Sequence, residues 1–171
     1  MDSFALPFHL PDFLVSACQP TDHGYRLVAY STLLQAACPC CGQQSRCFNG
    51  FYRRDVADLP SCEAQLQLQL FVRRFRCANP ACRRRTFSQV DPAWLKPQAR
   101  RTNRLALAQL HVAMALGWQA GSQLLTQLHM PTSRDTLLRL IRHWQPPASS
   151  TTRIVGVDDW AIRKAEPMAQ S

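Results

Sequence analysis

Four of the chain's eight cysteines are spaced to hold one metal ion. Cys38-Pro39-Cys40-Cys41-Gly42 places two thiols three positions apart, and Cys77-Ala78-Asn79-Pro80-Ala81-Cys82 places two more five positions apart. Zinc takes four soft ligands in a tetrahedron, with thiolate sulfur at about 2.3 Å. A short Cys-to-Cys spacing lets a single tight turn offer two sulfurs to the same ion. Gly42 suits a turn position with positive φ, and Pro39 and Pro80 stiffen the two turns. Cys40 lies inside the first knuckle and competes with Cys41, but Cys38 with Cys41 has the better spacing. Disulfides or inert buried thiols are the alternative, and an intracellular chain argues against them. Cys18, Cys47 and Cys62 have no partner at ligand spacing and read as small apolar fillers.

Elements that position such knuckles are visible nearby. Gln65-Leu66-Gln67-Leu68-Gln69-Leu70 alternates strictly, as a half-buried strand with its leucines on one face does. Residues 48–56 read as extended, 58–61 as a turn, and 25–30 as a strand adding an edge to the sheet. Two knuckles bracketing a small antiparallel sheet make a zinc ribbon, placed at 38–90 after a lead-in at 1–37. The metal supplies folding free energy that so small a core lacks.

The net charge of +9 is unevenly distributed. Residues 38–104 hold thirteen of the twenty basic residues against four acids, and 1–37 hold one Arg against three Asp. Such concentration is the footprint of a polyanion, most simply nucleic acid. The alternative is a solvated basic face. Arg73, Arg74 and Arg76 precede the second knuckle, and Arg83, Arg84 and Arg85 follow it. A metal-held loop would pre-position them for phosphate contacts, which orient a protein on DNA without reading its sequence. Their charge also lowers the pKa of nearby thiols. No run of about 18 apolar residues exists to span a membrane. Met1 has no basic flank, and Pro7 and Pro11 break the apolar residues after it, so no secretory signal is expected and the compartment reads as cytoplasmic.

A proline-bearing linker at 91–101 leads to 102–145. Thr102 or Asn103 caps a helix to about residue 116, with Leu107, Leu110 and Met114 inward, and Gly117 stops it. A second helix spans about 119–129. Thr132-Ser133-Arg134-Asp135 reads as a capping box opening a third through Trp144, with Leu137, Leu140, Ile141 and Trp144 inward. Three short helices with a tight turn before the last fit a helix-turn-helix domain, the third being the recognition helix. Ser133, Arg134 and Thr136 would meet base edges, and Arg139 and Arg142 the backbone. A three-helix bundle packed on a partner is the alternative. His111, His129 and His143 share no metal spacing.

A second linker, 146–153, precedes Ile154-Val155-Gly156-Val157-Asp158-Asp159-Trp160. An apolar strand ending in Asp is how a metal-dependent nuclease core presents its first carboxylate. Two-magnesium sites need several carboxylates, and neighbours on a strand point to opposite faces. Only Glu166 comes after them, so the site is expected to be incomplete in this chain.

In this order, Cys38-x2-Cys41-Gly42, Arg54-Asp55-Val56-Ala57-Asp58-Leu59-Pro60, Arg73-Arg74-Phe75-Arg76-Cys77, Cys82-Arg83-Arg84-Arg85-Thr86-Phe87, Ser133-Arg134-Asp135-Thr136 and Val155-Gly156-Val157-Asp158-Asp159-Trp160-Ala161 resemble bacterial insertion-sequence transposases of the ISL-three family. The resemblance implies an α+β chain: a zinc ribbon, a helix-turn-helix, and at 154–171 only the first strand of an RNase-H-like domain with a DDE triad. It implies structural zinc on Cys38, Cys41, Cys77 and Cys82, Asp158 as first triad carboxylate beside Asp159, and Mg2+ only in a complete catalytic domain. The family continues past the position of Lys164 with a long catalytic domain, so the chain reads as a truncated or frameshifted copy or as the first frame of a split gene, and is not expected to catalyse alone. Expected partners are double-stranded DNA at the element's terminal inverted repeats, and a second copy or the full-length transposase. A stand-alone DNA-binding regulator that inhibits transposition and a protein-docking ribbon are the rival readings.

Overall fold

The computed structural model describes residues 10–145. The linker 146–153, Asp158, Asp159 and the expected start of a catalytic domain lie outside the described residues.

The sheet is built on its longest pair of strands. β1 (Phe13–Thr21) and β2 (Gly24–Ser31) form a hairpin, and a two-stranded ribbon of β3 (Ala36–Ala37) and β4 (Gln44–Ser45) follows. β5 (Phe48–Ser61) and β6 (Ala64–Arg76) pair antiparallel along most of their length, and β7 (Thr86–Ser88) pairs with the end of β6. The main sheet order is β1-β2-β6-β5. β2 lies parallel to β6, with Tyr25 opposite Leu66 and Tyr30 opposite Phe71. The expected edge strand at 25–30 is therefore an interior strand, and β1, not anticipated from the sequence, is the edge.

The alternation in β6 behaves as its period dictates. Leu66, Leu68, Leu70 and Val72 are buried on one face with Leu27, Ala29 and Val56, closed over by Leu10 and Leu95. The turn expected at 58–61 is instead strand, and the hairpin turns at Cys62 and Glu63, with φ of 51° and 57°. A two-residue turn whose central residues both have positive φ matches the twist of its strands. It ordinarily carries Asn-Gly, and Cys-Glu gives no such signal.

Residues 91–101, read as a linker, pack on the core face of the sheet. Leu95 is fully buried and Trp94 meets the Phe13 ring edge-on at 5.7 Å. The backbone N–H of Ala57 donates to Arg100 O (2.9 Å), and that of Thr102 to Ala57 O (3.0 Å).

Among the described residues two helices follow, not three separate ones: α1 (Asn103–Gln127) and α2 (Arg134–His143). Gly117, expected to stop the first helix, takes φ 74° and ψ 178° and breaks the helical geometry inside α1. In a straight helix Ala113 and Gly121 would stand about 12 Å apart. A Cβ added at Gly121 would instead lie 3.5 Å from the Cα of Ala113, so the two arms of α1 fold back on each other. Ala113, Leu125 and Leu137, one from each arm and one from α2, form the small core between them. The inward face of the first arm differs from expectation. Leu105, Gln109, Leu110 and Ala113 are buried, while Leu107 and Met114 are 51% and 48% exposed. Trp144, expected inside, is also exposed. The cap of α2 is Ser133, accepting from Thr136 N, rather than a Thr132–Asp135 box.

One buried carboxylate fixes the sheet to the helices. Asp58, on β5, is 3% exposed. It accepts from Leu59 N (2.9 Å), from the Thr102 hydroxyl (2.6 Å) and from Arg104 Nε (2.7 Å), and it is ion-paired with Arg104 Nη2. Thr102 also caps α1 by accepting from Leu105 N. Asp58→Ala should destabilise the fold by about 2–3 kcal/mol, less than the ~3–5 kcal/mol of a fully buried pair because Arg104 keeps contact with water. Asp55, paired with Arg53 in the open, provides the comparison. Urea titration of both variants checks the difference, and Asp55→Ala should cost no more than ~1 kcal/mol.

Candidate metal centre and nucleic-acid interface

The two knuckles meet at one end of β6. Between β3 and β4 the chain turns tightly: Gly42 N donates to Cys38 O (2.8 Å) and Cys38 N to Gln43 O (2.9 Å). Gly42 takes φ 74°, the positive-φ role its place after the second Cys suggests. The second knuckle is closed by Cys82 N donating to Asn79 O (3.1 Å) and Cys77 N to Arg85 O (2.9 Å). The Asn79 carboxamide oxygen accepts from Ala81 N (2.9 Å). Phe75 and Phe87 pack behind Cys38 and Cys82 with Ala36, a second small core distinct from that of the sheet.

This geometry brings the four anticipated ligands together. Their sulfurs all lie within 4.8 Å of one another, with Cys38–Cys82 at 3.9 Å and Cys41–Cys77 at 3.6 Å. Tetrahedral zinc at about 2.3 Å from each sulfur requires sulfurs about 3.8 Å apart. A disulfide would need about 2.05 Å, and all eight cysteines are free. The set therefore fits a structural zinc ion, closed by four protein ligands. Cys40 stays outside the cluster and exposed. Cys18, Cys47 and Cys62, expected as buried fillers, are exposed as well. Their small size favoured burial, but they fall on an edge strand, an inter-strand connection and a hairpin turn.

The thiols differ electrostatically. Burial pushes Cys38 up, but backbone N–H groups of Cys40 and Cys41 and nearby thiols outweigh it and lower Cys38 to about 7. Cys82 accepts from Arg84 N, which lowers its pKa, but burial and the thiols of Cys40, Cys41 and Cys77 push it up to about 12. Cys77 is also raised: the backbone bond from Asn79 lowers it, and burial and the neighbouring thiols prevail.

The arginines expected at DNA divide into two groups. Arg73 and Arg74 are turned into the fold. Arg73 donates to Leu33 O (3.3 Å) with its guanidinium 4.7 Å over the Phe48 ring, and Arg74 donates to the Thr86 hydroxyl (3.2 Å). Arg76, Arg83, Arg84 and Arg85 are exposed around the second knuckle. On α2, Ser133 and Thr136 are occupied in capping, their hydroxyls 2.9 Å apart. Arg134, Arg139 and Arg142 are exposed, and Arg139 donates to Asp135 O (3.3 Å) and the Thr136 hydroxyl (3.4 Å). Sequence reasoning missed Arg101, which donates to Gln109 Oε1 and to the Thr132 hydroxyl (3.4 Å) and so ties the start of α1 to the turn before α2. Its place in an apparent linker concealed it.

Purified protein should carry one zinc per chain by elemental analysis, and Cys38→Ser should lose it together with cooperative unfolding of the ribbon. Cys77 and Cys82 hold protons at neutral pH, which zinc must displace, so affinity should fall as pH falls. The fall should steepen below about pH 7, where Cys38 is also protonated. A competitive chelator titration across pH 6–8 reads this directly.

No curated protein and no solved structure matches the chain. Residues 35–82 match the family described as the zinc-finger of transposase IS204/IS1001/IS1096/IS1165. That span begins just before β3 and ends on Cys82, so it contains all four sulfur ligands and the β5–β6 hairpin between them. Residues 35–82 are thus similar to the zinc ribbon of ISL-three insertion-sequence transposases, in the segment that holds all four sulfurs.

Proposed function

We propose that this chain is the DNA-binding part of an insertion-sequence transposase, and that it recognises the terminal inverted repeats of its element. The observation that carries this reading is the match of the ribbon to the transposase zinc finger. The exposed Arg76, Arg83, Arg84 and Arg85 around the metal-held knuckle support it, since a rigid loop presents cations to phosphates at little entropic cost.

The helical unit supplies the second contact in this reading. In this reading α2, packed through Leu137 on Ala113 and Leu125 of α1, is the element that meets the bases. Ser133, Arg134 and Thr136 lie at its N-terminal end and Arg139 and Arg142 along its exposed side. Among the described residues no helix is long and apolar enough to cross a membrane, and a reducing cytoplasm fits thiols committed to a metal. Cutting and joining of DNA belong to carboxylates beyond the described residues, Asp158 among them.

A gel-shift series on duplexes bearing the element's ends is the test. Binding should fall steeply between 50 and 200 mM salt, as neutralisation of several phosphates requires. Arg134→Ala should cost roughly 1–3 kcal/mol on the matched duplex and little on a scrambled one. Failure to shift any duplex at low salt would favour a ribbon used for protein contacts.

A further inference from the structure

We propose that residues 96–101 are a phosphate-binding bridge, joining the second zinc knuckle to α2 in one continuous basic track along a DNA duplex. The proposal rests on the DNA-binding reading above and adds the part of the surface that holds the backbone between the two expected contacts.

Two clefts flank this segment, and Arg100 lines both. On one side Arg100 shares the cleft with Arg54 and with Arg84 of the knuckle. On the other it shares a cleft with Lys96, Arg101 and His143. A shallower hollow continues from there, lined by Arg101, Thr136, Arg139 and His143. Basic residues from the knuckle, the 96–101 segment and α2 thus line three clefts in turn, the first two sharing Arg100 and the last two Arg101 and His143. Among the described residues Asp55 is the one acid that lines these three clefts, and Arg53 Nε holds it at 3.1 Å.

The segment is fixed in place. Arg54 Nη2 donates to Lys96 O (3.2 Å) and Ala99 O (2.8 Å), Ala57 N donates to Arg100 O, and Leu95 is buried beneath. Lys96 and Arg100 themselves are exposed, with no side-chain hydrogen bond or ion pair assigned among the described residues. Arg101 is held by Gln109 and Thr132 close enough to Arg139 for the two charges to repel. Burial first and Arg139 second lower its pKa. Like charges held together with no acid between them are relieved by an anion, and a phosphodiester meets that need at the foot of α2.

The bridge would carry no sequence information. Its chemistry is charge and hydrogen-bond donation to phosphate oxygens, so it should contribute equally on all duplexes.

The test is the double variant Lys96→Gln/Arg100→Gln, which removes two exposed cations and leaves Arg54, Arg101 and the Asp58 joint untouched. Zinc content and the thermal melt confirm that it folds. Fluorescence anisotropy on a matched and a scrambled duplex should show binding weakened by the same factor on both. The log–log salt slope should drop by about 2, close to 0.9 for each phosphate no longer neutralised. Hydroxyl-radical footprinting of the wild type should protect the backbone without interruption between the knuckle and α2 contacts. An unchanged slope and affinity, or two protected patches with an open stretch between them, would overturn the bridge while leaving duplex binding intact. A wild type that binds no duplex would remove the DNA-binding reading itself, and the bridge with it.

Discussion

The fold depends on the Asp58 carboxylate being fully supplied with donors. A buried anion without partners costs several kcal/mol, and here a backbone amide, a hydroxyl and a guanidinium meet it from three positions. Two of those donors, Thr102 and Arg104, belong to the beginning of α1. Satisfying the charge therefore forces the helix to start against β5. Thr102 is bound twice over, donating to Asp58 and accepting from Leu105 N, so the cap and the joint are the same atom. The positive end of the helix macrodipole faces the carboxylate as well. Ribbon and helical unit consequently present their cations in one frame.

At the other end of the sheet the constraint is sulfur. β6 passes through both cores: Leu66 to Val72 lie in the first, and Phe75 lies in the second beside Cys38 and Cys82. Four thiols gathered within a few ångströms, two of them buried, form a ready tetrahedral site, and an ion that takes the protons' place adds its binding free energy to the fold. The metal thereby holds the arginines that follow Cys82 to the same rod that carries the main core.

What the sequence disclosed depended on the range of the interaction involved. The four ligands were legible because a metal imposes short local spacings, and all of them converge. The leucine face of β6 was legible because a period of two needs only six residues to show itself. The cap at Thr102 was nearly so. Features set by contacts between distant segments were not. Nothing in residues 13–21 alternates cleanly, since most of β1 is exposed, and nothing in residues 25–30 reveals a parallel neighbour beginning near residue 65. Periodicity points Leu107 and Met114 inward, but the bend at Gly117 and the packing of α2 select Gln109 and Ala113 instead. The prolines that make residues 91–101 look like a spacer conceal a segment sealed by Leu95 and Trp94.

The parallel pairing of β2 with β6 also sets how much chain must exist before the sheet can be completed. Hairpins can close as soon as both strands exist, and the β1–β2 hairpin is complete by residue 31. Its inner edge, however, has no partner until the polypeptide has been extended through Phe71. Parallel strands cannot be joined by a tight turn and must wait for the intervening chain. In this protein that intervening chain is the first knuckle and β5. A β1–β2 hairpin formed before that point would expose unpaired amides and carbonyls on one side, and that edge is shielded only when the leucine strand pairs with it.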